Sequence, residues 1–193
     1  MPLVADITGV ILAGGRSSRF GVNKALAPFR GKTIIRRVVH VLKPIFKEVI
    51  LITNTPDPYV PLRLPMFPDV VSDKGPMGGI ITAFESTVND RIFVVGCDMP
   101  ILNPETILKI LQNSRDADAA IASHDGVNEY LLALYSRNLL GRMRHCLEED
   151  QLSLHEFCSN LDRIVWVPVG GDSWFNVNTK KDLEFLEKNH VDR

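Results

Sequence analysis

Between Leu12 and Lys24 the chain reads Leu12-Ala13-Gly14-Gly15-Arg16-Ser17-Ser18-Arg19-Phe20-Gly21-Val22-Asn23-Lys24, placing adjacent glycines, hydroxyls, guanidinium groups and an ammonium directly after an apolar run. Glycine lets backbone N–H groups approach an anion, arginine offers phosphate oxygens a planar fork, and lysine adds a compact charge. This set suits capture of a polyphosphate, with Arg19 and Lys24 as the candidate groups for its charge. A second constellation, Gly96-Cys97-Asp98-Met99-Pro100, ends the apolar run Ile92 to Val95 in a carboxylate. Asp98 is the candidate ligand for Mg2+, which takes one or two carboxylates and fills its shell with phosphate oxygens and water.

Two better-known phosphate motifs drop out. Gly31-Lys32-Thr33 ends like a P-loop, but Leu26 stands where that motif requires its first glycine and Pro28 interrupts the loop. Gly14-Gly15 lacks the G-x-G-x-x-G spacing of a dinucleotide site. No histidine among His40, His124 and His190 stands beside a convincing nucleophile and carboxylate, and His145, Cys146, His155 and Cys158 match no standard zinc spacing. No protein nucleophile is assigned.

The elements that must position these groups alternate in type. Apolar runs at Thr8–Leu12, Glu48–Thr53, Ile92–Gly96, Ala119–Ala122, Leu131–Tyr135 and Ile164–Val167 read as strands, with Val70-Val71 hinting at another. Helical stripes fall at Thr33–Leu42, Gly75–Glu85, after Asn103-Pro104, at Leu139–Leu147 and at Thr179–Glu187; Pro56–Pro68 reads as a loop. Alternation of this kind predicts an α/β fold, a mostly parallel sheet covered on both faces, with ligands at the carboxyl ends of the strands.

With 193 residues, 45% hydrophobic and 23% charged, the chain fits a single domain over residues 1–193. A net charge of -1 argues against a broad grip on nucleic acid. No apolar run reaches membrane-spanning length, and three cysteines without a pairing pattern suit a reducing compartment, so a cytoplasmic protein is expected.

Four blocks in order, Leu12-Ala13-Gly14-Gly15 with Arg19 and Lys24, Gly75-Pro76-Met77-Gly78-Gly79, Cys97-Asp98-Met99-Pro100, and Phe175-Asn176-Val177-Asn178-Thr179 before Asp182-Leu183, make the chain resemble the MobA-like nucleotidyltransferases from about Ile7 to Leu186. Within them it is most similar to the guanylyl-transferring branch that acts on the molybdenum cofactor. The resemblance implies a three-layer αβα, Rossmann-like fold of the nucleotide-diphospho-sugar-transferase type. It implies transfer of GMP from Mg-GTP to the phosphate of molybdopterin, with pyrophosphate released and cofactor-insertion proteins as partners. By the same resemblance Leu12, Ala13, Gly14 and Gly15 contact the nucleotide, Lys24 its phosphates, Asp69 and Gly78 the nucleotide, Asp98 magnesium, and Asn176 and Asn178 the region of the acceptor. The family's asparagine after the second strand has three competitors here, Thr53, Asn54 and Thr55, of which Asn54 is chosen.

Relatives that transfer CMP typically read Leu-Ala-Ala-Gly, so Gly14 before Gly15 favours guanine. Asn23 replaces the family's aspartate before the lysine, Phe20 a methionine-like position and Tyr130 a proline, departures that bear on acceptor recognition and turnover. Two other readings stay open: CMP or GMP transfer to another phosphorylated acceptor, and a non-catalytic GTP-binding adaptor for molybdenum enzymes.

Overall fold

The computed structural model describes residues 3–14, 23–71 and 74–189. The first apolar run becomes β1 (Val4–Leu12), buried throughout from Ile7 to Leu12 as expected of a central strand. A 3₁₀ turn at Lys24–Leu26 then leads into a hairpin of β2 (Pro28–Phe29) and β3 (Lys32–Thr33). Its turn residues Arg30 and Gly31 both have positive φ, so Gly31-Lys32-Thr33 makes a hairpin and not a P-loop.

Helix α1 (Ile34–Leu42) buries Ile34, Ile35, Val38, Val39 and Leu42, the stripe its periodicity predicts. There follow β4 (Phe46–Ile52), a 3₁₀ turn at Asp57–Leu62, β5 (Met66–Phe67), α2 (Gly75–Glu85), β6 (Arg91–Gly96), α3 (Pro104–Gln112), β7 (Ala119–His124), β8 (Val127–Ser136), α4 (Leu140–Glu148), α5 (Leu154–Ser159), β9 (Ile164–Pro168) and α6 (Lys180–Asn189). The side chain of Asn103 caps α3, accepting from Thr106 N at 2.9 Å, and Pro104 follows in the first turn.

Three expectations are corrected. The short strand lies at Met66–Phe67, where Leu51 N donates to Pro65 O and Thr53 N to Phe67 O, and not at Val70-Val71, where Val70 N donates to the Thr82 hydroxyl. The segment from Pro56 to Pro68 therefore carries a 3₁₀ turn and a strand and is not a plain loop. Between α4 and β9 the chain adds α5, capped by Ser153, whose hydroxyl accepts from Glu156 N at 3.2 Å.

Among the described residues one sheet has the order β5-β4-β1-β6-β8-β7-β9. β8 runs antiparallel to both β6 and β7, and the other neighbours are parallel. Alternation along the strands fills two cores. Ile11, Phe93 and Val95 pack on one face with Ile35, Val38, Ile107 and Ile110 of α1 and α3. Val10 and Val94 pack on the other with Ile80, Phe84, Met143 and Phe157 of α2, α4 and α5. Each such fully buried side chain contributes about 1.5–3 kcal/mol.

The order of the strands fixes where a ligand can sit. β4 and β5 leave β1 on one side and β6 returns on the other, so the connections diverge above the carboxyl ends of β1 and β6 and open a crevice there. Phe29, Ile34, Val177 and Leu186 form a third, small core that seats α6 against the hairpin. The segment before α6 consequently crosses the same edge, tied down where Val177 N donates to Asp98 O at 2.9 Å.

Candidate active site

A cavity of about 390 Å³ occupies this crevice, with Leu12, Gly14, Lys24, Asn54, Asp69, Gly79 and Asp98 in its wall. Hollows of about 450 and 580 Å³ elsewhere contain neither Lys24, Asp69 nor Asp98. At one end of the cavity stands Lys24, on the 3₁₀ turn that follows Asn23. Asn23 Oδ1 accepts from Ala25 N at 3.1 Å while its Nδ2 donates to the hydroxyl of Tyr59, itself buried in the α1 core, at 2.8 Å. An amide performs both tasks at once, so Asn23 anchors the turn where the family commonly has an acid. Tyr59→Phe should lower stability by about 1 kcal/mol and lower kcat, because Lys24 loses its anchor. An unchanged kcat in steady-state kinetics would detach this anchor from the placement of Lys24.

Lys24 Nζ pairs with Asp98 Oδ2 and also donates to Asn178 Oδ1 at 3.1 Å. Asp98 arrives straight off β6, on a turn secured by Val177 N on its carbonyl and by Arg37 Nε on Pro100 O. A Cβ added to Gly96 would lie 2.5 Å from Asp98 Oδ1 and 3.9 Å from Asn176 Oδ1, so both oxygens border one hollow that only glycine leaves open. That hollow suits a hard divalent cation, which binds oxygen ligands and draws the rest of its shell from phosphates and water. Among the described residues no cluster of three His, Cys, Asp or Glu side chains stands ready for a metal. Neighbouring Cys97 is buried, its thiol pushed up to about 12 by desolvation and by the Asp98 charge, and it is no nucleophile.

At the other end Asn54 and Asp69 hold each other. Asn54 Nδ2 donates to Asp69 Oδ2 at 3.1 Å, and Asp69 N donates to Asn54 Oδ1 at 2.8 Å. Of the three competitors Asn54 is the one on the cavity wall; Thr53 is buried and its hydroxyl accepts from Thr55 N. Burial raises the pKa of Asp69 against the lowering effect of Asn54, and its Oδ1 is buried without a hydrogen-bond partner among the described residues. An unpaired carboxylate oxygen is costly to bury and marks the place of a donor from outside the chain.

The remaining residues singled out from the sequence fall differently. Gly15 and Arg19 lie outside the described residues, as does Phe20. Ala13 packs into the α1 core and donates its N–H to Ile52 O, so its side chain faces away from the cavity. Of the adjacent glycines Gly78 and Gly79 in α2, Gly79 stands on the cavity wall and Gly78 does not. The Cβ direction of Gly78 meets Lys74 Cβ and Val71 O, whereas that of Gly79 meets Leu12 and Asp69 Oδ1 at 3.6 Å. Asn178 does not cap α6 with its side chain: Thr179 Oγ1 and Asp182 Oδ2 do that, which leaves Asn178 to Lys24. Tyr130 faces away toward His155 and Trp166, and Leu131 takes the place on the cavity wall. Sequence reasoning missed Glu129, which accepts from Asn176 Nδ2; desolvation is the main cause that pushes its carboxyl up to about 6.

The model of the MobA-like NTP transferase domain matches residues 9–164, which spans β1 to the start of β9 and the whole catalytic edge except Asn176 and Asn178. The chain belongs to the MobA-like NTP transferase family. A Carboxydothermus hydrogenoformans relative named "probable molybdenum cofactor guanylyltransferase" is 37% identical over 69% of this chain and 68% of its own. A Pelotomaculum thermopropionicum relative of the same name is 34% identical over 91% and 89%. Molybdopterin-guanine dinucleotide biosynthesis protein A of Archaeoglobus fulgidus superposes with a TM-score of 0.79 over 94% of this chain and 97% of its own, at 23% identity, which shows the shared fold. This MobA-like chain is a nucleotidyltransferase, and among its described residues no helix is long and apolar enough to cross a membrane.

Proposed function

We propose that this nucleotidyltransferase transfers GMP from Mg-GTP to the terminal phosphate of molybdopterin. The observation that carries the reading is the polarity of the cavity: an ion pair, Lys24 with Asp98, at one end, and at the other the carboxylate oxygen of Asp69, unpaired among the described residues. Guanine presents adjacent N1–H and N2–H donors that match a carboxylate, and cytosine does not. The relatives named for molybdenum cofactor guanylyl transfer support the acceptor.

In this reaction an oxygen of the acceptor phosphate attacks the α-phosphorus, and the bond from that phosphorus to the oxygen bridging to the β-phosphate breaks, releasing pyrophosphate. The attacking phosphate is already an anion near neutral pH, so no general base is needed. Lys24, joined by Arg19, stabilises the charge gathering on the leaving pyrophosphate. A divalent cation held by Asp98 would shield the phosphates from the anionic nucleophile. Asn176 and Asn178, on the segment that crosses the sheet edge beyond Asp98, are assigned to the acceptor by the family resemblance. The three free thiols agree with a cytoplasmic setting.

The decisive experiment is pyrophosphate release with GTP, magnesium and molybdopterin. GTP binding without release would leave the chain a nucleotide-binding adaptor. The base reading has its own test. Asp69→Asn replaces one of the two acceptor oxygens with a donor and should cut the preference for GTP over CTP at least tenfold, roughly the 1.4 kcal/mol or more expected when a hydrogen-bonded site loses its match. An equal loss for both nucleotides in competition assays would mean that Asp69 reads a feature they share, such as the ribose.

A further inference from the structure

Glu129 has no task in the reaction as just described, yet it holds Asn176, whose oxygen borders the same hollow. It stands near the start of β8, the strand antiparallel to β6, which delivers Asp98; an irregularity in β8 shifts its pairing with β7 from Ile121↔Ala133 to Ala122↔Glu129. Asp98 is its like-charged neighbour, and Asn176 Nδ2 is its hydrogen-bond donor. A primary amide has one donor end and one acceptor end, so the group that takes its N–H fixes the direction of its oxygen. With Nδ2 turned to Glu129, Asn176 Oδ1 lies 3.9 Å from the point where a Gly96 Cβ would sit, and Asp98 Oδ1 lies 2.5 Å from that point. The other Asp98 oxygen is taken by Lys24. Acceptor oxygens turned to one hollow repel each other until a cation or a donor lies between them. The opposite amide rotation would aim an NH2 group at the place a cation needs.

We propose that Glu129 is a positioning residue: by holding the N–H end of the Asn176 amide it turns the Asn176 oxygen toward Asp98 and completes a pair of oxygen ligands for the divalent cation. The inference rests on reading Asp98 as the cation ligand. Glu129 acts through Asn176, as partners of metal ligands commonly do, and losing such a partner costs ten- to a hundredfold in metal affinity.

Manganese titrated into the nucleotide-free protein, followed by the loss of the free-ion electron paramagnetic resonance signal, tests this. Glu129→Met keeps the chain length and removes the strong acceptor, and should weaken manganese binding about tenfold. Glu129→Gln still offers an oxygen to Asn176 Nδ2 and should stay within about threefold of the parent, because its acceptor takes the same N–H. Asn176→Asp placed in the Glu129→Met background should recover the affinity, since a carboxylate presents an oxygen in either rotation. Thermal melts verify that each variant is folded, and Glu129→Ala replaces the methionine variant if that one is not. Unchanged binding in Glu129→Met would overturn the inference. So would Glu129→Gln binding as weakly as Glu129→Met, which assigns the effect to charge, or a double variant that stays weak. The control Asp98→Asn separates the two readings: if it leaves manganese binding intact the cation site itself is wrong, whereas a loss there with none in Glu129→Met removes the positioning role alone.

Discussion

Lys24→Ala is expected to lower kcat by about 10²–10³-fold, the usual cost of deleting a preorganised group that stabilises transition-state charge. Lys24 is the described cation on the cavity wall, and its ammonium spans Asp98 and Asn178. The fold should tolerate the change. The 3₁₀ turn that carries Lys24 is secured by Asn23 and Tyr59, and the pair with Asp98 is only partly withdrawn from solvent, with 23% and 14% of the two side chains exposed. Its removal should cost about 1 kcal/mol or less. Lys24→Arg should not restore the rate, because a planar fork cannot place one compact charge on both Asp98 and Asn178. Pyrophosphate release under saturating GTP and acceptor measures the effect, and near-normal turnover would remove Lys24 from the mechanism.

Most of the fold could be read from local pattern. The α1 stripe and the Asn103-Pro104 start of α3 needed only neighbours in sequence, and both elements stand where expected. β5 could not be found in that way. Two β-branched residues at Val70-Val71 have the higher intrinsic strand preference, but Met66–Phe67 lies alongside the end of β4 and receives its hydrogen bonds. Tertiary pairing overrode propensity. The missed α5 is a different case, because Ser153 with Glu156 three residues later is a capping signature present in the sequence.

The site divides along the same line. Asp98 was legible because an apolar strand runs directly into it, and Lys24 because it closes a glycine-rich segment. Glu129 was not, because its approach to Asp98 depends on the register of an antiparallel pair whose members are far apart in sequence. That Gly79 and not Gly78 lines the cavity comes from helix phase: each residue along a helix turns about 100°, so a shift of one moves a Cβ direction from the cavity toward Lys74 and Val71. Asp69 owes its unpaired oxygen to Asn54, which occupies the other one, and no spacing rule carries that information.

Gly96→Ala is expected to abolish most activity while leaving stability nearly unchanged, a combination that separates the site from its scaffold. Gly96 sits in the parallel register of β1 and β6 opposite Leu12, and its φ lies outside the left-handed region, so the backbone accepts alanine without strain. The reduced freedom of the unfolded chain should even favour the variant by about 0.4–1 kcal/mol. The added methyl, however, would lie 2.5 Å from Asp98 Oδ1 and 3.7 Å from its Cγ. What it meets is the end of a side chain and not backbone, so the carboxylate rotates away and the strand stays. Rotation carries Asp98 off Lys24 Nζ and out of the hollow it shares with Asn176 Oδ1. Displacement of a reacting group by about 1 Å costs about 10²-fold in rate, so kcat/KM should fall at least that far while the melting temperature stays within about 4 °C, the shift that 1 kcal/mol produces in a domain of about this size. A variant that melts early would show that the strand and not the carboxylate yields to the methyl. A variant that turns over normally would show that Asp98 Oδ1 does not need the space that Gly96 leaves.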